Sequence, residues 1–205
     1  MGDPAGIGPE IVLGALAAEP HRAVVVGDAG RLKLAGQILP RGGPRLRTVQ
    51  SPSAAHFEPG VVNVIDLANV PAVLPWGQLS EVAGAAAYAY LEHATSLALA
   101  GAVAAICTAP INKEAWREAG IEHAGHTEAL AALSGTETYA MMLVNRRLRV
   151  VHQSTHVSLA AAVDKATTAR CFDCIQLADR FLREHGGVVA PRIAVAGINP
   201  HAGEN

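Results

Sequence analysis

The sequence predicts an α/β chain of three layers, α/β/α, with helices on both faces of a mostly parallel but mixed sheet. Short apolar runs rich in β-formers alternate with longer Ala/Leu-rich stretches, the order that strand–helix–strand units impose. Two further runs flank a polar turn near residue 145, and such an antiparallel pair makes the sheet mixed. Half of the 205 residues are hydrophobic and 17% are charged, which is enough apolar material for a sizeable core in one or two domains.

The chain opens on Gly2-Asp3-Pro4-Ala5-Gly6-Ile7-Gly8-Pro9-Glu10, a Gly/Pro loop entering a helix over about Glu10 to Ala18. Such a loop lets backbone N–H groups approach an anion in front of a helix N-terminus, and a tight structural turn is an equal reading. Arg22 to Gly27 reads as a buried strand and Asp28 to Leu39 as a helix. Val61 to Asp66 is the next strand, followed after a Pro-rich loop by a long helix from Ser80, as N-cap, to about Ala100. Ala102 to Cys107 reads as a strand stopped at Pro110. Thr138 to Val144 and Leu148 to His152 form the pair around Asn145-Arg146. Asp164 caps a helix to about His185, Gly186-Gly187 stops it, and Arg192 to Ala196 is the last strand. No strand fits before the first glycine loop, and Asn199 to Asn205 ends in a loop. The expectation is therefore an incomplete unit over 1–205, clipped at both ends.

Composition narrows the function. A net charge of −2 supplies no electrostatic footprint for nucleic acid or an anionic membrane. No apolar run reaches membrane-spanning length and the N-terminus lacks a signal-peptide pattern, so the expectation is a soluble cytoplasmic protein. Three cysteines make no disulfide framework. Cys171 and Cys174 form a C-x-x-C inside a predicted helix with no second pair, so packing is the better reading.

Candidate chemistry gathers on histidines. His156 and His201 each follow a strand-like run, at strand ends where open α/β sheets assemble ligand sites. His126 stands in the loop-like segment 124–128, followed by Thr127. Neutral imidazoles suit zinc or a similar divalent ion, so the three read together as a site for a metal and an anionic substrate. Lys113 is a candidate second cation or proton relay, against the commoner case of a solvated lysine opening a helix. Trp76, Trp116 and the other six histidines read as packing or surface residues.

Five motifs occur in fixed order: Gly2 to Glu10, Thr108-Ala109-Pro110-Ile111-Asn112-Lys113, Gly125-His126-Thr127-Glu128, Ser154-Thr155-His156, and Gly197 to Glu204. Over the whole chain this resembles the 4-hydroxythreonine-4-phosphate dehydrogenase family of pyridoxine biosynthesis. The resemblance implies a fold like isocitrate and isopropylmalate dehydrogenases and a homodimer. It also implies NAD with a divalent metal (zinc, magnesium or cobalt) as cofactors. His156 and His201 are then metal ligands, and His126 and Thr127 bind a small phosphorylated substrate. The third metal ligand and the NAD contacts would come from a C-terminal region outside this chain, with the metal site completed across the dimer.

The implied reaction is oxidation and decarboxylation of 4-phosphooxy-L-threonine to 3-amino-2-oxopropyl phosphate. The alternatives are D-threonate or D-erythronate 4-phosphate as substrate, to which the 152–157 stretch is somewhat similar, or a non-catalytic metal- or phosphate-binding remnant.

Overall fold

The computed structural model describes residues 1–18, 21–40 and 42–204. They form two compact units, Met1–Gly135 and Thr136–Asn205.

The first unit is built on a parallel sheet of β1 (Val24–Gly27), β2 (Arg45–Thr48) and β3 (Val61–Asp66). Its strand order is β1-β3-β2, with Val25 opposite Val64 and Leu46 opposite Val62. Successive side chains leave a strand on opposite faces, so each apolar run supplies two cores. Val25, Val62 and Val64 pack against Leu13 of α1 (Gly8–Ala18) and Leu32 and Ala35 of α2 (Ala29–Ile38). Val26 and Ile65 point the other way, onto Ala86 and Tyr90 of α3 (Glu81–Leu99). Helices thus cover both faces, giving the expected three layers. A third cluster joins Ala87 and Leu91 of α3 to Trp116 of α4 (Lys113–Glu118) and Ala129 of α5 (His126–Ser134).

Caps set the helix boundaries. The Asp28 carboxylate accepts from the Arg31 N–H at 2.7 Å, and Ser80 caps α3 through the Ala83 N–H at 3.4 Å. β3 matches its predicted bounds, while β1 starts two residues later than expected and α1 two residues earlier.

In the second unit, β4 (Met142–Val144) and β5 (Arg149–Val151) form the predicted antiparallel pair. The Asn145 side chain closes the turn by accepting from the N–H groups of Arg147 and Leu148, both at 2.8 Å. Both pairing types expected of the fold therefore occur, in two separate sheets. Two helices follow, α6 (Leu159–Lys165) and α7 (Thr168–Glu184). Gly187, at φ +66, takes the left-handed conformation that ends α7, and the Val188 N–H returns to the Leu182 carbonyl at 2.9 Å.

Three expectations are corrected. Neither Ala102 to Cys107, which begins with a bend over 102–104, nor Arg192 to Ala196 is a strand. An apolar run becomes a strand only by exchanging N–H···O=C bonds with a neighbour, and no described strand pairs with either segment. Asp164 is no cap but lies within α6. Ser158 caps that helix, and the chain breaks at Ala166-Thr167 before Thr167 caps α7 through the Arg170 N–H at 3.2 Å.

Candidate functional site

Three of the five motifs meet in the first unit. The Asp3 N–H donates to the Pro110 carbonyl at 2.9 Å, which ties the glycine loop to the segment leading into α4. Within the loop, the Asp3 carboxylate accepts from the Ala5 N–H at 2.7 Å. A methyl group on Gly2, whose φ is +76, would stand 2.4 Å from the Pro110 oxygen, and one on Gly8 would stand 2.4 Å from the Met1 oxygen. These glycines are required because the protein's own backbone closes on them. Of the two readings the sequence left open, the tight turn accounts for the loop without a ligand.

The loop is further clamped by Arg31, a residue that sequence reasoning missed. Its guanidinium is buried, donates from Nε to the Pro4 carbonyl at 2.6 Å and from Nη1 to the Leu74 carbonyl at 2.8 Å, and lies 3.3 Å over the Trp76 ring. Burial pulls its pKa down, while Asp28 and Asp3 oppose that shift. No local pattern connects Arg31 to residues 74–76, because the contact exists only once α2 is docked.

The Asn112 side chain caps α4, accepting from Glu114 N–H at 2.9 Å and Ala115 N–H at 3.1 Å, and so fixes Lys113 as the first helical residue. A Cβ placed at Gly125 would lie 3.6 Å from Lys113 Nζ and 3.7 Å from Glu128 Oε2. The Lys113 ammonium therefore stands over the start of α5. His126 opens that helix, where the sequence placed it in a loop, and Thr127 follows in its first turn. The helix starts there because Gly125, in extended conformation, serves as its N-cap. First-turn N–H groups have no intrahelical acceptor, so His126 and Thr127 present donors and a positive dipole end.

An aromatic cluster supports His126 from below. Its ring meets the buried Trp116 edge-on at 5.8 Å, Trp116 meets Tyr88 at 5.6 Å, and Tyr88 stacks on His123 at 5.9 Å. Burial lowers the His126 pKa first, and Lys113 lowers it further, so the neutral ring is favoured. Trp116 is packing, as expected.

The second unit carries His156 and His201. His156 is exposed, lies shortly after β5, and adopts φ +56, a left-handed conformation uncommon outside glycine. The chain just before it is anchored: Arg170 Nε donates to the Gln153 carbonyl at 3.0 Å, and the Gln153 side chain donates to the Lys165 carbonyl. His201 is exposed in a turn, with Nδ1 2.7 Å from Glu204 Oε1. The segment before it is not the strand expected. Both imidazoles are suitable donors for a divalent ion, and among the described residues no three His, Cys, Asp or Glu side chains gather around one point. A groove of about 830 Å³ beside α7, lined by Phe172, Ile175, Pro191 and Ile193, contains no motif residue. Cys171 and Cys174 lie on α7, where burial raises the Cys174 pKa, an environment that favours the inert thiol over the reactive thiolate.

Residues 19–205 match the family model of the pyridoxal phosphate biosynthetic protein PdxA. The chain belongs to this family. It is 46% identical to the D-threonate 4-phosphate dehydrogenase of Cupriavidus necator and 42% identical to the 4-hydroxythreonine-4-phosphate dehydrogenase of Desulfosudis oleivorans. Each match covers 100% of this chain, with 62% and 61% of those relatives. A crystal structure of 4-hydroxythreonine-4-phosphate dehydrogenase from Klebsiella pneumoniae superposes with a TM-score of 0.92 at 48% identity, over 100% of this chain and 62% of that one. The chain thus spans about three fifths of the PdxA relatives it matches. Among its described residues no helix is long and apolar enough to cross a membrane.

Proposed function

We propose that this PdxA chain serves NAD-dependent, divalent-metal-dependent oxidation and decarboxylation of a four-carbon phosphorylated hydroxy acid, with D-threonate 4-phosphate as substrate. His126 and Thr127 bind the phosphorylated substrate, His156 and His201 are metal ligands, and the working protein is a cytoplasmic homodimer. The observation that carries the reading is the meeting of three motifs in one place: the clamped glycine loop, the capped Asn112-Lys113 turn, and the head of α5. Thr127 at a helix N-terminus with Lys113 beside it suits an anion, and the neutral His126 ring donates a hydrogen bond without adding charge. When bound, a divalent ion would polarise the substrate oxygen that becomes a ketone. NAD would supply the hydride acceptor for that oxidation, and the carboxylate next to the carbon bearing the displaced electrons would be lost as carbon dioxide.

A second reading takes 4-phosphooxy-L-threonine as substrate, and it is favoured by the name of the Klebsiella pneumoniae structure at 48% identity. Purified protein assayed for NADH formation with each compound, in the presence of zinc, magnesium or cobalt, separates the two. D-threonate 4-phosphate should give a kcat/KM at least about tenfold higher, a margin of one well-placed polar contact. The reverse ratio establishes the second reading. Phosphate-dependent binding without turnover of either would leave only a non-catalytic binding role.

A further inference from the structure

His201 has a carboxylate on one of its two ring nitrogens. Glu204 Oε1 lies 2.7 Å from His201 Nδ1, and one turn sets that spacing. The His201 N–H donates to Asn199 Oδ1 at 2.9 Å, the Ala202 N–H to the Asn199 carbonyl at 3.2 Å, and the Glu204 N–H to the His201 carbonyl at 3.1 Å. A neutral imidazole carries one N–H and one lone pair, and an ionised carboxylate only accepts. The contact therefore keeps the N–H on Nδ1 and leaves the lone pair on Nε2. Both side chains are mostly exposed, 70% for His201 and 65% for Glu204.

We infer that Glu204 is a positioning residue, holding His201 in the tautomer whose Nε2 donates to a divalent cation. This rests on the reading of His201 as a metal ligand given above, and Glu204 itself does not touch the ion. Carboxylates paired in this way with a ligating imidazole fix the ring orientation and raise its basicity toward the metal. An exposed pair contributes little to folding, so its removal leaves the protein folded.

The test is zinc titration by calorimetry on the wild-type chain and on His201→Ala, Glu204→Ala and Glu204→Gln, at about pH 8, where protons compete less with the metal. Nitrogen-15 NMR of the metal-free proteins reads the His201 tautomer alongside. Glu204→Ala should weaken zinc binding about 10- to 100-fold and move proton occupancy toward Nε2. Glu204→Gln, whose amide oxygen still accepts, should stay within roughly threefold of wild type. Wild-type affinity or wild-type tautomer in Glu204→Ala overturns the positioning role while leaving the metal reading intact. Unchanged affinity in His201→Ala, or a wild-type chain that takes up no zinc, overturns the metal reading and the positioning role with it.

Discussion

Gly84 of α3 and Ala115 of α4 approach so closely that a methyl group at Gly84 would stand 2.0 Å from the Ala115 carbonyl oxygen. The contact is backbone on backbone, so no side chain can rotate to make room. Gly84→Ala should push α4 away from α3 and cost about 3 kcal/mol, at the upper end of overpacking penalties. Urea denaturation should show this as a lower midpoint with an unchanged slope. Because α4 carries Lys113 and Trp116, the same variant should weaken substrate binding. A stability equal to wild type would mean the two helices are not held at this separation.

The lowered His126 pKa gives a pH dependence with a definite sign. Burial and Lys113 disfavour the charged ring in the folded state, so its pKa lies below the ordinary 6.5. The corresponding stability is complete above pH 6.5 and is lost as pH falls through the folded value, where the ring must charge. Denaturation midpoints at falling pH should therefore drop less steeply for His126→Gln than for wild type. Parallel curves would remove His126 from the acid response.

Thr127→Val retains the side-chain shape and deletes the hydroxyl in the first turn of α5. With phosphorylated substrate it should raise KM about tenfold while changing kcat less, as expected for the loss of a binding contact to a charged group. A non-phosphorylated analogue should show no such difference. Equal losses with both would argue against a phosphate role for Thr127.

His156 holds φ at +56, where β-branched side chains fit worst. His156→Val should cost about 1–2 kcal/mol, while His156→Asn, which tolerates the left-handed region, should be nearly neutral. Thermal unfolding of the two variants checks this, and equal midpoints would contradict the backbone conformation.

Where short-range physics decides, the sequence was readable. Val61–Asp66 alternates its side chains onto two cores, and Ser80 and the Gly186-Gly187 stop bracket helices where local hydrogen bonds put them. Where a distant partner decides, it was not. Ala102 to Cys107 has strand composition without a ladder, and the Arg31–Trp76 stack depends on α2 docking against the loop that carries Trp76. The motif marks His126 but not its place in a helix, since Gly125 caps α5 with no side chain to advertise it. His123 stacks on Tyr88 across a large sequence separation, a pairing no local spacing encodes.

The strand order β1-β3-β2 has a consequence for synthesis on the ribosome. Among the described residues the first two strands do not pair with each other, and each pairs with Val61–Asp66. Until Asp66 has cleared the exit tunnel, β1 and β2 lack their shared partner, and α1 and α2 have only part of the apolar surface they will cover. Folding of this unit should therefore begin late and abruptly, with arrested nascent chains ending before β3 remaining protease-sensitive and slightly longer ones acquiring protection together.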